Sequence, residues 1–421
     1  MKRRAVITGI GPVTAIGIGK DAFFKNLYTH TMCCKKIPDT LKERYNYKST
    51  HYVPFPDLYF PEYGMSPSLT KMMGKNTLSA LVGAKLALLD AGYEIKEVNS
   101  KFFTDGLDDE CSVIIGVGLS ELQVAFHSYV SHLHKGDAHN DKNLKSFNRM
   151  VIPIIMPNAL SAWISILFGL HGVNYTINAS CASGTMAVGE AYEAIVNGRQ
   201  KVVLAGGAEC LEDDSGSIMR GFDVLSVLTH AHDGSPMPFS KNRSGFLFSE
   251  GASCMLVLEE LEHAQIRKAQ IYAEIIDYKA NSDASHIVHM DRTGKSLKKL
   301  LRSIVKDYTI DYVNTHGTGT ILNDDVEALI IKEIFGSRST QPYLNSTKGI
   351  LGHSIGASGA IEIAVTAYSI KESRIHGNII DNPMEDLNLV DTSINSDIHY
   401  ALSSSFGFGG HNAAVLLTRY E

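Results

Sequence analysis

The stretch from Val173 to Val188 constrains the fold of this chain most, because it changes from strand-forming to helix-forming sequence at a single cysteine. Its first residues are apolar and β-branched, which predicts a strand. The strand ends at Cys181, and a helix rich in small residues begins at once, with Ala182, Gly184, Ala187, Gly189, Ala191 and Ala194. The sequence therefore predicts a strand, a turn and a helix, with a thiol at the N-terminus of the helix.

A thiol in this position faces the free N–H groups and the positive end of a helix, which favour its thiolate. A helix terminus contributes roughly 0.3–1 kcal/mol, so it lowers the pKa of Cys181 by less than about one unit. Because this activation is modest, a nucleophilic Cys181 also needs a histidine within reach.

Two histidines lie in glycine-rich segments that follow strand-like sequence. His316 stands in Tyr312-Val-Asn-Thr-His-Gly-Thr-Gly-Thr320, and His353 stands in Asn345-Ser-Thr-Lys-Gly-Ile-Leu-Gly-His-Ser-Ile-Gly356. Strand ends of this kind are where α/β folds place their sites, and neighbouring glycines allow a substrate to approach closely. Cys181, His316 and His353 are therefore the candidate catalytic residues.

Composition limits the class of protein. The chain has 421 residues, a net charge of −6 and six cysteines with neither a C-x-x-C pattern nor a disulfide-framework spacing. These features predict a reduced, cytoplasmic protein and no nucleic-acid partner. The first apolar run is too short for a signal peptide, and no stretch is long and apolar enough to predict a membrane span. Alternating strands and helices indicate an α/β fold with mainly parallel sheets covered by helices.

The three segments around Cys181, His316 and His353 resemble the motifs of the β-ketoacyl-acyl carrier protein synthases, the condensing enzymes of the thiolase superfamily. The similarity extends almost from end to end. It includes the segments Arg4–Gly11, Val202–Glu209, Pro238–Ser240, Gly245–Phe246, Glu250–Ala252, Val257–Glu262 and Ser405–Asn412.

The resemblance implies a thiolase-like α/β fold with two duplicated halves that form a layered αβαβα sandwich. We expect the N-terminal half, residues 1–260, to carry Cys181, and the C-terminal half, residues 261–421, to carry both histidines. An internal echo is consistent with this duplication, since Ala182-Ser-Gly184 opens one small-residue helix and Ala357-Ser-Gly359 opens another.

The resemblance also implies roles for individual residues. Cys181 would attack the thioester of an acyl chain on an acyl carrier protein and become acylated. His316 and His353 would hydrogen-bond the malonyl thioester carbonyl and assist the loss of carbon dioxide, after which the enolate would attack acyl-Cys181. The backbone N–H groups of Cys181 and Phe408 match the family's oxyanion hole, and Phe408 also matches its gatekeeper.

Supporting residues are implied in the same way. Lys348 matches the lysine that orients His353, and Glu327 lies in its charge network, although the two could equally form a structural ion pair. The expected substrate-binding residues are Thr318, Thr320, Phe406 and Phe222, of which the threonines match contacts to the phosphopantetheine arm. The expected carrier-protein face consists of Lys71, Lys75 and Arg149. We expect no metal and no cofactor, because the carrier protein supplies the phosphopantetheine arm.

Two details favour the ketosynthase α subunit of type II polyketide systems over the housekeeping fatty-acid synthase II. Residues Gly352–Ala364 look like the polyketide version, and Pro157–Gly172 is about one helical turn shorter than in the fatty-acid enzymes. The polyketide assignment predicts a heterodimer with a chain-length-factor (ketosynthase β) paralogue; otherwise we expect a homodimer.

Functions of another class stay open. Gly352-His-Ser-Ile-Gly356 satisfies the G-x-S-x-G pattern of serine hydrolases. The acids Asp381 or Asp391, and then the histidines His399 or His411, follow in the chain order which that fold requires. An inactive scaffold subunit is a further alternative.

Two other patterns are weak. Gly9-x-Gly11 follows a strand but lacks the third glycine of a dinucleotide-binding loop, since position 14 is threonine. His132, His134, Asp137 and His139 could suggest a metal cluster, but their spacing matches no common zinc pattern.

Overall fold

The computed structural model describes residues 3–99, 101–107, 110–135 and 149–421. Within these ranges the strands are, in chain order, β1 (Ala5–Thr14), β2 (Gly17–Ile18), β3 (Lys35–Lys36), β4 (His51–Tyr52), β5 (Glu94–Val98), β6 (Lys101–Asp105), β7 (Ser112–Gly116), β8 (Asn174–Ile177), β9 (Val202–Cys210), β10 (Gly251–Glu260), β11 (Ala273–Ser282), β12 (Tyr312–Asn314), β13 (Tyr343–Asn345), β14 (Arg374–Ile375), β15 (Ile394–Asn395), β16 (Tyr400–Gly407) and β17 (His411–Thr418). Three pairs form small ribbons, β3 with β4, β5 with β6 and β14 with β15, and the remaining strands form one mixed sheet.

The helices of the same ranges are, in chain order, α1 (Lys20–Tyr28), α2 (Asp39–Tyr45), α3 (Pro67–Thr70), α4 (Lys75–Asp90), α5 (Leu122–Lys135), α6 (Val151–Ile155), α7 (Ala159–Phe168), α8 (Ser183–Val196), α9 (Ser217–Val224), α10 (Leu261–Ile266), α11 (Lys295–Val305), α12 (Ile321–Phe335), α13 (Lys348–Leu351) and α14 (Ser358–Glu372). Short 3₁₀ helices occupy Phe60–Tyr63, Ser180–Ala182 and Ile355–Ala357. None of the described helices is both long and apolar enough to cross a bilayer.

The main sheet consists of two parts with the same strand order. One part runs β1, β10, β9, β7, β8, and the other runs β11, β17, β16, β12, β13. In each part the first two pairings are antiparallel and the last two are parallel. The two parts meet where β1 pairs with β11 over three residues, from Ala5–Ile275 to Ile7–Ala273. This repeated topology confirms the expected duplication, while the division at residue 260 stays a prediction.

Helices cover both parts of the sheet and also separate them. Helix α4 packs on β1 and β10, and α11 packs on β11 and β17. Between the two parts lie α8, which packs on β7 and β9, and α14, which packs on β16. The inner helices are in close contact, because a Cβ atom on Gly184 would lie 2.7 Å from the backbone nitrogen of Ala360. The layers are therefore α, β, α, β and α, as expected.

The central strands have no polar face. Strands β1 and β9 are buried along their whole length, and β10 is buried up to its last residue. Their continuous apolar sequence is typical of a sheet that is covered by helices on both sides. Gly9 and Gly11 belong to β1, where a Cβ atom would lie 2.1 Å from backbone oxygens of α4. Their role is close packing of helix on strand, not the binding of a dinucleotide.

Candidate active site

Cys181 lies in a short 3₁₀ helix between β8 and the N-terminus of α8. The residue before it, Ser180, has a left-handed backbone (φ 52°), a conformation that most side chains disfavour. The hydroxyl of Ser183 stabilises this turn, since it accepts the N–H of Ala179 at 2.8 Å and donates to the carbonyl of Ser180 at 2.7 Å. The thiol is thus held at a fixed position, 94% shielded from solvent, at the start of a buried helix.

His316 follows β12 and is positioned through its backbone. Both carboxylate oxygens of Glu327, on α12, accept backbone N–H groups at 2.8 Å, one from His316 and one from Gly317. Asn323 also donates to this carboxylate at 3.3 Å. Glu327 therefore has a supporting role in the geometry of the His316 turn, and its two partners there are main-chain groups.

His353 follows α13, and its ring is held from the Nδ1 side. Nδ1 lies 2.9 Å from Oγ of Ser358, which also accepts the backbone N–H of Ser354 at 3.1 Å. Nε2 is buried and has no hydrogen-bond partner among the described residues. The rings of His353 and His316 are nearly perpendicular, with centroids 5.7 Å apart. One nitrogen of His353 is therefore left for a group that enters the site.

Lys348 acts on a different histidine from the one expected. Its ammonium lies 3.3 Å from Nδ1 of His316 and forms a buried ion pair with Glu362, on α14. The Nδ1 atom of His353 is occupied by Ser358 instead. The expectation that Lys348 orients His353 is therefore corrected, because a lysine on the first turn of α13 points towards the His316 side of the site. A donor at Nδ1 leaves the proton of neutral His316 on Nε2.

A single cavity of about 260 Å³ brings most of the expected residues together. Cys181, His316 and His353 line it, and so do Thr318, Thr320, Phe406 and Phe408. Phe222 does not line it and packs behind the wall, with its ring centroid 6.0 Å from that of Phe246. Phe246 itself lines the cavity and meets the His353 ring edge to face at 5.1 Å. The expected substrate-binding role of Phe222 can therefore be no more than indirect in this arrangement.

Two backbone N–H groups point at the sulfur of Cys181, those of Phe408 and of Cys181 itself. Gly407 allows this approach, because a Cβ atom there would lie 2.6 Å from the carbonyl oxygen of Ala179 and 3.1 Å from the nitrogen of Cys181. A pair of fixed N–H donors beside a thiol is the arrangement that stabilises an oxyanion during acyl transfer. These are the two groups that the resemblance assigned to the oxyanion hole.

Burial controls the protonation of the three candidate residues. It raises the pKa of the Cys181 thiol, and the Ser180 hydroxyl, the Lys348 charge and the two backbone N–H groups offset this rise only in part. The predicted lowering of this pKa is wrong, since desolvation outweighs the helix terminus. Burial and the Lys348 charge lower the pKa values of His316 and His353 well below the usual range. The thiol and both imidazoles are thus neutral at physiological pH.

The expected carrier-protein face does not meet the cavity. None of Lys71, Lys75 and Arg149 lines it. Lys75 pairs with Glu212 and lines a separate surface depression together with Lys35.

The structure does not assemble the alternative sites. The described hydrogen-bond partner of the Ser354 hydroxyl is Ser358, and Asp381 accepts hydrogen bonds from Ser240 and Asn242. His399 pairs with Asp397 at the surface. Among the described residues, no histidine contacts the Ser354 hydroxyl, so a serine hydrolase triad is not assembled there. Two residues of the pattern that could suggest a metal cluster, Asp137 and His139, lie outside the described residues.

Two supporting residues escaped the sequence analysis, Glu362 and Ser358. Both lie in the small-residue segment that opens α14, where a buried carboxylate is unusual. A single acid within the apolar run from Ala360 to Val365 was the signal for Glu362. Ser358 had a weaker signal, its match to Ser183 in the internal echo.

Comparison with known proteins agrees with this geometry. Two family models match, "Beta-ketoacyl synthase, N-terminal domain" over residues 2–264 and "Beta-ketoacyl synthase, C-terminal domain" over residues 272–380. A 3-oxoacyl-[acyl-carrier-protein] synthase 2 from Rhizobium meliloti is 31% identical over 435 residues, which cover 99% of each chain. Among solved structures, the ishigamide ketosynthase/chain length factor has a TM-score of 0.86 at 26% identity, and a beta-ketoacyl synthase from Burkholderia phymatum has 0.85 at 29%. Both structural matches cover 100% of each chain.

Proposed function

Since this chain belongs to the beta-ketoacyl synthase family and is a condensing acyltransferase, we propose that it joins malonyl-acyl carrier protein to an acyl chain held on Cys181, with loss of carbon dioxide. The observation that carries the proposal is the cavity in which a buried thiol, two N–H donors at its sulfur and two neutral imidazoles meet. Each of the two steps described below uses several of these groups.

In the first step Cys181 attacks the thioester carbonyl of the acyl carrier protein. Because the thiol is neutral, its proton must leave as the carbon–sulfur bond forms. Nε2 of His353 can accept it in the tautomer whose Nδ1–H donates to the Ser358 hydroxyl. The N–H groups of Cys181 and Phe408 stabilise the oxyanion. The phosphopantetheine thiol then leaves with that proton, and the acyl chain remains on Cys181.

In the second step His316 and His353 donate from Nε2 to the carbonyl oxygen of the malonyl thioester. His353 is then the Nε2–H tautomer, and the Ser358 hydroxyl donates to its Nδ1. Breaking the bond to the carboxylate releases carbon dioxide and leaves its electron pair in an enolate, whose oxygen the two donors stabilise. Each donor contributes about 2.7–4 kcal/mol if it acts like other oxyanion donors. The enolate carbon then attacks the acyl carbonyl and releases the Cys181 sulfur, which regains a proton.

The test is to locate the acyl group. The protein is incubated with acyl-loaded acyl carrier protein, digested and analysed by mass spectrometry. The proposal predicts an adduct on the Cys181 peptide that is absent from Cys181→Ala and unchanged in Ser354→Ala. An adduct on Ser354 would contradict it and support the hydrolase, while no adduct on any residue would support an inactive scaffold.

We further propose a dimer through the face around the outer edge of β8. This strand ends the sheet. Helix α7 packs on it, and α6 contacts both α7 and α5. The face carries exposed large apolar side chains, namely Leu119, Phe126, Tyr129, Val130, Ile152, Met156, Ile166 and Val173. An unpaired edge beside such a patch is typical of an obligate interface.

The proposed partner on this face is a chain-length-factor paralogue, as in type II polyketide systems. The short segment Pro157–Gly172, which contains α7, lies on this face, so its altered length bears on the choice of partner. Co-expression with such a paralogue should raise solubility and give a one-to-one complex by native mass spectrometry. A stable homodimer that elongates saturated acyl chains at full rate would instead establish the fatty-acid role.

A further inference from the structure

The carboxylate of Glu209, near the end of β9, joins two other segments of the chain through their main-chain N–H groups. Its Oε2 atom accepts the N–H of Gly118 at 2.8 Å and that of Gly356 at 3.1 Å, and its Oε1 atom accepts the N–H of Leu119 at 3.0 Å. The side chain is completely buried. One carboxylate therefore ties the segment that follows β7 to the 3₁₀ helix Ile355–Ala357.

The turn that contains Gly356 also orients the ring of His353. Nδ1 of His353 lies 2.9 Å from the hydroxyl of Ser358, and that hydroxyl accepts the N–H of Ser354 at 3.1 Å. Gly356 stands halfway between the two serines. A shift of Gly356 therefore moves the hydroxyl that holds the His353 ring. We call residues 353–358 the His353 turn.

The backbone of the His353 turn is strained and needs a partner from outside. Ile355 has a φ of 44°, in a region that β-branched residues disfavour. Its side chain lines the cavity together with Cys181, and its Cγ2 atom lies 2.8 Å from the position of a Cβ atom on Gly118. Such a conformation persists only where the surrounding structure over-determines it. The hydrogen bond from Glu209 to the next N–H in the chain is a constraint of this kind.

An ionised carboxylate suits this position because it accepts hydrogen bonds and donates none. Burial raises the pKa of Glu209 to about 7, and the N–H groups of Leu119, Gly356, Gly118 and Ser120 limit the rise. At about pH 8 the carboxylate is therefore mainly ionised. An amide of the same shape has a single acceptor oxygen, and its NH₂ group would face one of these N–H donors.

We propose that Glu209 is a positioning residue for decarboxylation, which holds the His353 turn so that Nε2 of His353 reaches the oxygen of the malonyl thioester. The inference rests on the proposed condensation and adds to it a residue outside the cavity. Because Glu209 does not line the cavity, its effect on the reaction passes through the His353 turn. Misplacing a group by about 1 Å can cost about 10²-fold in rate, so a small shift of this turn is enough.

Glu121 supplies a matched control within the same chain. It is also completely buried, burial raises its pKa to about 7, and it accepts the main-chain N–H of Thr77 at 3.1 Å. Thr77 belongs to α4, and no residue of that helix lines the cavity. Glu121→Gln therefore measures the cost of removing a buried, N–H-bound charge that does not act on the His353 turn.

The test measures the two half-reactions separately at about pH 8, with acyl-loaded and malonyl-loaded acyl carrier protein. Glu209→Gln should lower the maximal single-turnover rate of carbon dioxide release about tenfold or more. The concentration of malonyl carrier protein that gives half this rate should stay within about twofold of wild type, because carrier binding is untouched. Acylation of Cys181, followed by intact mass, should fall less, as it does in His353→Ala. Glu121→Gln should change each quantity by less than about twofold.

A double-mutant cycle separates positioning from a general loss of structure. In the His353→Ala background, Glu209→Gln should slow carbon dioxide release by less than about a further twofold, because the residue through which it acts is gone. Losses that multiply in full would overturn the proposal. Equal losses in Glu209→Gln and Glu121→Gln, or equal losses in both half-reactions, would also overturn it.

A second variant covers the case in which urea unfolding shows that Glu209→Gln does not fold. Glu209→Asp keeps the charge but is one methylene shorter, and it should show the same selective loss of carbon dioxide release. A Glu209→Asp protein with wild-type rates would then contradict the role. Wild-type enzyme that becomes acylated on Cys181 but releases no carbon dioxide from malonyl carrier protein would refute the condensation itself.

Discussion

The turn at Cys181 and the turn at Gly356 have the same backbone construction. The first carries a thiol where the second has no side chain. Each is a 3₁₀ helix that begins at a residue with a left-handed backbone, Ser180 in one and Ile355 in the other. Each leads into a buried helix whose first serine accepts a backbone N–H from four residues earlier. The position of the nucleophile in the first turn is therefore occupied by Gly356 in the second.

Packing explains why one turn carries a side chain and the other does not. A Cβ atom on Gly356 would lie 2.6 Å from the backbone nitrogen of Gly118 and 2.9 Å from the carbonyl carbon of Val117. Its N–H is held by the buried carboxylate of Glu209 at 3.1 Å. Beside Cys181 lies instead the Gly407–Phe408 segment, which leaves room for a thiol and a substrate. A duplicated framework thus gives one nucleophile, because close packing fills the second position.

The largest effect is expected from replacing the nucleophile of the first turn. Cys181→Gln should reduce condensation about 10⁴-fold or more, since the nucleophile is lost. It should retain decarboxylation of malonyl carrier protein, because the glutamine amide can imitate an acyl thioester while the histidines remain. Product analysis and carbon dioxide release measure the two reactions. Loss of both to the same extent would contradict this separation of steps.

His353, just before the second turn, and His316, just after β12, should mainly affect the other half-reaction, which is decarboxylation. His316→Ala and His353→Ala should each slow decarboxylation about 10²–10³-fold, the range for loss of one oxyanion donor. Acylation of Cys181 should fall less, because its oxyanion is stabilised by the N–H groups of Cys181 and Phe408 and no enolate forms in that step. Burst-phase acylation by intact-mass analysis, run beside carbon dioxide release, checks the ratio. Equal losses in both half-reactions would refute the assigned roles.

A substitution at the second turn tests the packing argument. Gly356→Ala should lower the free energy of unfolding by about 1–3 kcal/mol, because the methyl group meets backbone atoms that cannot rotate away. Gly221→Ala is the matched control, since no atom lies within 4 Å of its Cβ position and it stands inside α9. That change should be neutral or stabilise by up to about 1 kcal/mol. Urea unfolding measures both, and a Gly356→Ala protein as stable as wild type would contradict the comparison.

The smallest expected effect concerns the charge beside His316. The Lys348 ammonium lowers the pKa values of His316 and His353. Lys348→Met should therefore raise both, so that protonation begins at higher pH and the acid limb of Cys181 acylation moves upward. Lys348→Met/Glu362→Gln is the control for an unpaired buried carboxylate at Glu362. Acylation rates between about pH 4.5 and 8 measure the shift, and an unmoved limb would rule out this electrostatic role.

The sequence predicted what depends on local pattern. The strand before Cys181, the small-residue helix after it and the glycine-rich settings of His316 and His353 all follow from neighbours in the chain. The prediction for the pKa of Cys181 failed because desolvation comes from distant segments such as 406–408. The prediction for the partner of Lys348 was wrong for the same reason, since the contacts of Lys348 with His316 and Glu362 span 32 and 14 residues.

The roles of Lys75 and Phe222 were the hardest to predict from the sequence. Whether a lysine such as Lys75 is available to a partner depends on a carboxylate 137 residues away, that of Glu212. Whether Phe222 reaches the cavity depends on which aromatic ring, Phe222 or Phe246, packs in front of the other. Neither question has a periodicity or a motif, so the sequence alone could not answer either one.

The division of the site between the two parts of the sheet has a consequence for the newly made protein. Cys181 belongs to a segment that leaves the ribosome before β11, whereas both histidines come after it. Since N-terminal regions fold first during synthesis, the early chain holds a thiol without its proton acceptors. Acylation by the proposed mechanism therefore begins only after the second part of the sheet has joined the first and has supplied the histidines and the N–H group of Phe408.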